Sequence, residues 1–520
     1  MSNQWGRFFL QSISSLLLVS SLTTVVQAQS ATKLIPENAA EQKTALYFER
    51  IRQSPPQMLA FLRQMPKGAD LHNHLSGAIY AESYIQWASD RGLCVSQVTW
   101  VASEAPCEET AAQIPIRKAL TDQTLYNRLV NAWSMRFWQY SGQNGHDRFF
   151  ETFSQFGAAT DHQTGRMLAE AASQAAKDKV SYLELMLTPA STISRQVGEK
   201  AGWDGNFENS FNQLKKNNID EAVTVGIQEI ATAEKEKNRL LQCETPQADP
   251  GCAVTIRYIS QISRGAALER VFAQMVAGFM LANLPNSPFV GVNLVQPEDS
   301  LMARQNFSLQ MQMLNYLHFQ YPQAHITLHA GELFPGLVPP NDLTFHIRES
   351  VRTGHAERIG HGVAIMNEDQ PYELLKELVR RNVLIEICLS SNETILGITG
   401  KRHPLATYLE YGVPVALATD DQGIARSDMS QEFLKAAEDQ GLGYLQLKMM
   451  ARNSLEYAFL SGESFWRDRR KFIPIAACEK ERTNPSQPCQ QFLNQSEKAR
   501  LQWQLEKAFQ GFEAEYNVSL

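Results

Sequence analysis

The sequence predicts an α/β fold: a closed (β/α)8 barrel of the TIM type, with a helical insertion after the first strand and an N-terminal helical extension. Three observations carry that expectation. Eight short apolar runs alternate with longer stretches of helical periodicity, the pattern of a parallel sheet wrapped by helices. Polar, chemically capable residues follow at least five of those runs, as they do on the carboxyl rim of a barrel. Residues 76–179, between the first and second runs, leave room for a subdomain over the barrel mouth. A doubly wound open sheet, the structural alternative, would gather its ligand loops at one crevice.

Taken in order, the first 28 residues contain one charged side chain, Arg7. An apolar stretch around Leu16-Leu17-Leu18-Val19 leads to Val26-Gln27-Ala28, a small-x-small cleavage signal. This segment reads as a signal peptide, so the protein is expected to be exported, to the periplasm or the extracellular medium. Residues 29–66 form the helical extension: Tyr47 and Ile51 stand four apart, as do Met58 and Leu62, with Ser54-Pro55-Pro56 breaking the run between them. The barrel with its insertion fills 67–520. Its strands are expected at 69–75, 180–187, 254–259, 289–295, 325–329, 358–362, 383–389 and 413–419. Helices are expected at 268–284, 307–319 and 372–380, and within the insertion at 120–137, 147–156 and 166–177. The span 235–252 reads as a second surface insertion, and the tail ends in a helix near 496–516.

Composition narrows the function classes. With 43% hydrophobic and 20% charged residues the chain is neither disordered nor a small disulfide knot. A net charge of −7 provides no global basic field for nucleic acid or anionic lipid. After the leader, no apolar run approaches the ~20 residues of a membrane span. Seven cysteines suit an oxidising compartment. Six fall in close pairs in polar stretches, Cys94 with Cys107, Cys243 with Cys252 and Cys478 with Cys489, and local pairing is the expectation, though sequence alone does not fix connectivity. Cys388, inside an apolar run, reads as a buried structural thiol.

Four motifs carry chemistry. His72-x-His74 ends the first strand, where alternation sends both imidazoles to one face. His329-Ala330-Gly331-Glu332 ends the fifth. Arg358-Ile359-Gly360-His361-Gly362 ends the sixth, with glycines that permit close backbone approach. Thr419-Asp420-Asp421-Gln422 ends the eighth, and two adjacent carboxylates at a buried strand end need a positive partner. Each pattern is ordinary taken singly. Together, at the carboxyl ends of four strands, they make a nitrogen and oxygen site suited to one Zn²⁺ ion per chain. His146, His162, His318, His325, His346, His355 and His403 read as surface or core histidines.

On these residues the sequence resembles the adenosine deaminase branch of the metal-dependent amidohydrolases. The matching stretches are 66–78, containing Asp70-Leu71-His72-Asn73-His74-Leu75, then Leu328-His329-Ala330-Gly331-Glu332, Glu357-Arg358-Ile359-Gly360-His361-Gly362, Ser390-Ser391-Asn392 and Ala418-Thr419-Asp420-Asp421. They run in the family's order across residues 66–465. The leader, the long insertion, the cysteine pairs and the loop Asn293 to Asp299 resemble the secreted, growth-factor-related deaminases more than the compact cytosolic ones.

The resemblance implies roles. His72, His74, His329 and Asp420 would bind zinc. Glu332 would hand a proton to a purine ring nitrogen, His361 would orient the attacking hydroxide, and Asp421 would hydrogen-bond it. Substrate would also meet His74, Ser76, Gln296 and Asp421. Two positions depart from the family: Ser76 replaces a carboxylate that contacts the ribose, and Gln296 replaces a glycine that meets the purine. The implied reaction is hydrolytic deamination of adenosine or 2′-deoxyadenosine, with a small purine nucleoside as partner and no nucleic acid or membrane. A homodimer is compatible with this reading. Another 6-aminopurine as substrate, or a secreted adenosine-binding signalling role, are the alternatives. A binuclear phosphotriesterase-like or urease-like site is disfavoured, because no lysine ends the fourth strand.

Overall fold

The computed structural model describes residues 34–107, 112–479 and 484–516. The proposed leader, residues 1–28, lies outside them. At the centre is an eight-stranded, all-parallel sheet: β1 Gly68–His74, β2 Val180–Leu187, β3 Thr255–Ser263, β4 Phe289–Val295, β5 His325–Ala330, β6 Arg358–His361, β7 Leu384–Ile387 and β8 Val415–Leu417, hydrogen-bonded in chain order. The last strand returns to the first. Asp420 bridges Asn73, its N–H donating to the His72 carbonyl (2.8 Å) and its carbonyl accepting from the His74 N–H (3.0 Å). The sheet thereby closes into the expected barrel.

β2 and β4 match their expected bounds, and β7 and β8 are shorter. Pro414 has no N–H to offer a ladder, so β8 begins at Val415. Helix Leu389–Leu396 takes the end of the apolar run that contains β7. Such a run signals burial, which a strand or a buried helix start satisfies equally. The helices Leu268–Ala282, Phe307–His318 and Pro371–Arg381 lie where periodicity puts them.

The insertion contains helices Gln123–Ala132, Gly145–Thr160 and Thr164–Lys177. It also holds a three-stranded antiparallel sheet, from Cys94–Ser96, Ala102–Ser103 and Gln113–Pro115, that the sequence did not announce. Strands of two or three residues are too short to display a period of two. The span 235–252 is corrected in part. Helix Asp220–Leu240 runs through its first residues, burying Ala222, Val223, Gly226, Ile230 and Ala233 at helical spacing, and only the disulfide loop beyond it is inserted. All three cysteine pairs are bonded locally: Cys94–Cys107, Cys243–Cys252 and Cys478–Cys489. Cys388 is free and buried.

On the barrel's flank, helix Tyr444–Glu456 is clasped by the N-terminal helices Ala39–Ile51 and Pro55–Gln64 and by the final helix Glu497–Glu515. Lys448 is buried between Glu41 (2.8 Å) and Glu513 (2.7 Å), and Arg452 between Glu37 and Glu506 (2.7 Å each). Phe61 packs edge-on against Phe48, Tyr444 and Phe512 beside them. Among the described residues no helix is long and apolar enough to cross a membrane.

Candidate active site

All four motifs meet at the carboxyl rim of the barrel. The ladder pairs Ala330 with His361, so β5 and β6 deliver their polar residues at one level, and the Asn73–Asp420 bridge does the same for β1 and β8. Several strand ends leave the extended region to do this. His361 and Asp420 take positive φ angles of 68° and 58°, and Gln296, after β4, takes 83°. Each such non-glycine residue costs about 1–3 kcal/mol, and such strain gathers at functional sites. Glycine is required at two close approaches. A Cβ on Gly360 would lie 2.4 Å from the His72 ring, and one on Gly77 would collide with the Asp421 carboxylate.

The His72 Nε2 lies 3.0 Å from the His329 Nε2, and the His74 Nε2 lies 3.1 Å from the same atom. Asp420 Oδ1 is 3.5 Å from His72 Nε2 and 3.3 Å from His74 Nε2. What these nitrogens carry is decided at the far side of each ring. His72 Nδ1 faces the Glu386 carboxylate (2.6 Å), His74 Nδ1 the Gln261 side-chain oxygen Oε1 (3.1 Å) and His329 Nδ1 the Asn293 side-chain oxygen Oδ1 (2.9 Å). Each of those oxygens accepts, so each Nδ1 donates and a neutral ring leaves a lone pair on Nε2. With all three rings neutral, three lone pairs and a carboxylate oxygen converge, a mutually repulsive arrangement unless a proton or a cation sits among them.

The donor set fits such a cation. Tetrahedral sites with arms near 2.0–2.1 Å have edges of about 3.3 Å, close to the separations observed. Asp420 Oδ1, Asp421 Oδ1, Glu332 Oε1 and His361 Nε2 are all buried without a hydrogen-bond partner. Asp420 Oδ2, by contrast, accepts from the Ser391 hydroxyl at 2.6 Å, which aims Oδ1 at the imidazoles.

Electrostatics divides the groups. Burial works against charge on His72, but Asp420 and Glu386 overcome it and raise its pKa to about 10. Burial would raise Asp420, but its bond to His72 and the nearby imidazoles hold it below the ordinary carboxylate range. Burial, reinforced by the charge of Asp420, pushes Glu332 up to about 8 and Asp421 well above its usual value. Burial holds His361 down to about 3. A cation would compete with the proton for the His72 lone pair.

The outer layer was mostly missed in the sequence. Glu298, on the loop after β4, accepts from the N–H groups of Gly331 (3.0 Å) and Glu332 (2.8 Å), and its carboxylate also takes the His346 Nδ1. Arg264, after β3, ties the Gln296 carbonyl (2.8 Å) to the His329 carbonyl (3.0 Å). Glu386 is gripped by Arg358 (2.6 Å) and Thr327 (2.9 Å), and Arg358 also binds Glu184. Glu184 and Glu386 were legible in one respect: a lone carboxylate inside an apolar strand run has to be paired. His355 bonds Asn315 and stacks on His318, so it takes no part in the site.

The two divergent positions are placed as follows. Ser76 lies in the turn after β1, half-buried, its carbonyl accepting from the Tyr84 hydroxyl (2.7 Å). The Gln296 side-chain oxygen is engaged by the Gly265 N–H (3.0 Å), so that carboxamide is tied to the neighbouring loop.

A family model for adenosine deaminase matches residues 120–467, about two-thirds of the chain. The chain belongs to the adenosine deaminase family. The match begins after β1, so it is the fold that adds His72 and His74 to the group. Among curated relatives, the adenosine deaminase of Escherichia coli O1:K1 is 39% identical over 142 residues, covering 27% of this chain and 39% of that enzyme. The alignment thus spans about two-fifths of the relative's length. Among solved structures, the apo N6-methyl-AMP deaminase of Arabidopsis thaliana superposes with a TM-score of 0.50 at 19% identity, over 78% of this chain and 94% of that one. That likeness concerns the fold.

Proposed function

We propose that this family member is an exported, zinc-dependent hydrolase that deaminates adenosine or 2′-deoxyadenosine to the inosine form with release of ammonia. The observation that carries the reading is the convergence of three imidazole nitrogens and the Asp420 carboxylate beside the buried Glu332. His72, His74, His329 and Asp420 would hold the ion. When bound, zinc lowers the pKa of a water to around 7, supplying a nucleophile at neutral pH.

This chain's residues do the rest. An aromatic amine is a poor electrophile, so the ring must be activated as it is attacked. Glu332 keeps its proton because burial and Asp420 disfavour its charge, and it donates that proton to a ring nitrogen. Asp421 accepts a hydrogen bond from the attacking water. His361 stands 3.6 Å from Glu332 Oε1 and 3.8 Å from Asp420 Oδ2, between the acid and the metal ligands. Gly331 and Glu332 are fixed by Glu298, which sets the acid's position before substrate arrives.

Ser76 keeps a second substrate class open, because the family's ribose-contacting carboxylate is absent there: adenine, a modified adenosine or a nucleotide. The test is the ultraviolet shift of each 6-aminopurine to its 6-oxo product, with zinc-loaded and chelator-stripped protein. The fastest conversion is expected on adenosine or 2′-deoxyadenosine and is lost on stripping. No conversion of any 6-aminopurine by metal-replete protein would end the enzyme reading.

A further inference from the structure

Four imidazoles line the site, and one is wired in reverse. Around His72, His74 and His329 the Nδ1 atoms face oxygen acceptors. His361 Nδ1 instead faces the Asn392 side-chain nitrogen at 2.9 Å. Whether that group is truly nitrogen, and so a donor, depends on the orientation of the Asn392 carboxamide, which its other neighbour decides. Asn392 Oδ1 lies 3.0 Å from the His403 Nε2. The His403 ring is anchored by a backbone group whose direction is beyond doubt: the Leu405 N–H donates to His403 Nδ1 at 3.2 Å.

The chain of donors then resolves itself. A peptide N–H can only donate, so His403 Nδ1 accepts and its single proton sits on Nε2. Burial keeps that ring neutral, its pKa lowered to about 4. His403 Nε2–H must meet an acceptor, so Asn392 Oδ1 faces it and the Asn392 NH2 faces His361. His361 Nδ1 accepts, and the proton of a neutral ring is left on Nε2. That Nε2 is buried without a partner and points into the site, 3.8 Å from Asp420 Oδ2. Glu332 Oε1, 3.6 Å from Nδ1, is too distant to compete for it.

We propose that His403 and Asn392 are positioning residues that fix the tautomer of His361, presenting its Nε2–H as a hydrogen-bond donor to the oxygen that adds to the purine ring. His361 then serves neither as a fourth imidazole ligand nor as a base. It is a fixed dipole aimed where negative charge develops during attack, the kind of donor whose removal slows turnover more than it weakens binding. This rests on the deaminase reading above for its kinetic half. Its structural half, the location of one proton, stands apart from any activity.

The experiment has those two arms. In zinc-loaded protein carrying ¹⁵N-labelled histidine, His361 is assigned by the resonances lost in His361→Gln. The expected result is a protonated, pyrrole-type Nε2 and a pyridine-type Nδ1; the reverse pattern, or a doubly protonated ring, overturns the proposal. In the kinetic arm, His403→Leu removes the donor to Asn392, whereas His403→Gln puts an amide N–H at the reach of the imidazole Nε2. With His403→Leu, kcat is expected to fall by about 10²-fold while KM stays within about threefold. His403→Gln is expected to recover most of that loss. If both variants turn over like wild type at full zinc occupancy, or if the Gln variant fares no better than the Leu variant, the positioning role is wrong. Should wild-type protein convert no 6-aminopurine, the functional reading fails, and the ¹⁵N spectrum still reports the proton.

Discussion

The barrel mouth and the clasp around the terminal helices both bury several ionisable groups, but they satisfy them differently. In the clasp each cation lies between two carboxylates, Lys448 between Glu41 and Glu513 and Arg452 between Glu37 and Glu506. At the mouth Asp420, Asp421 and Glu332 crowd together, each with an oxygen that meets no donor, and three imidazole nitrogens face one another. Native proteins rarely leave buried polar atoms unpaired. A complete network of this kind holds elements together, and a cluster of unpaired groups at a barrel mouth is a candidate place for something else to bind. Burial alone does not distinguish the two regions; the accounting of partners does.

Substitutions can break or sharpen that contrast. The largest effect is expected from Glu332→Gln, which removes the transferable proton: kcat should fall by about 10²–10⁴-fold, with metal content by elemental analysis unchanged. Retained turnover would show that the mouth's unpaired acid is not the proton donor. Lys448→Met should do the opposite. It strands two buried carboxylates and should cost about 3–5 kcal/mol in urea unfolding, with kcat per folded molecule and metal content unaltered.

Between these extremes lies Glu386→Gln, which leaves the His72 ring oriented by a weaker acceptor. Zinc affinity in a competitive chelator titration should drop about 10–100-fold. No change would mean that Glu386 belongs with the structural network of Arg358 and Glu184 rather than with the mouth.

The smallest effect is on the pH profile. Glu332, raised from 4.5 to about 8 by burial and the Asp420 charge, would have to be protonated to act as the proposed acid. Activity should therefore fall as pH rises through that value, with a bound cation drawing the limb lower. Because the folded state holds this proton more tightly than the unfolded chain does, raising the pH between those two values also costs stability. Glu332→Gln should abolish that stability contribution, measurable as a flatter dependence of the unfolding midpoint on pH.

What was legible in the sequence follows from how locally each feature is determined. The barrel could be read because alternating strand and helix periods are local, and the convergence of the candidate ligand motifs because each falls within a few residues of a strand end. Cysteine pairs separated by 9–13 residues were legible for the same reason. The small sheet of the insertion was not, since its strands are too short to show a pattern. Nor were the partners that orient the site. Gln261 is unremarkable in sequence, Asn293 and Glu298 stand out only through the resemblance of their loop, and only register brings the three to His74, His329 and the Glu332 loop. His403 illustrates the limit best. It reads as a surface or core histidine and is buried, yet that reading says nothing of the hydrogen bond that ties it to Asn392.

The backbone of Asp420 is also the seam of the cylinder, giving one hydrogen bond to the His72 carbonyl and receiving one from the His74 N–H. Ring closure and assembly of the proposed ligand set are consequently a single event, joining positions 72 and 420, which lie far apart along the chain. A folding intermediate that has docked every strand but the last would still lack a competent centre. Metal uptake should accordingly report completion of the whole ring rather than the formation of any one part of it.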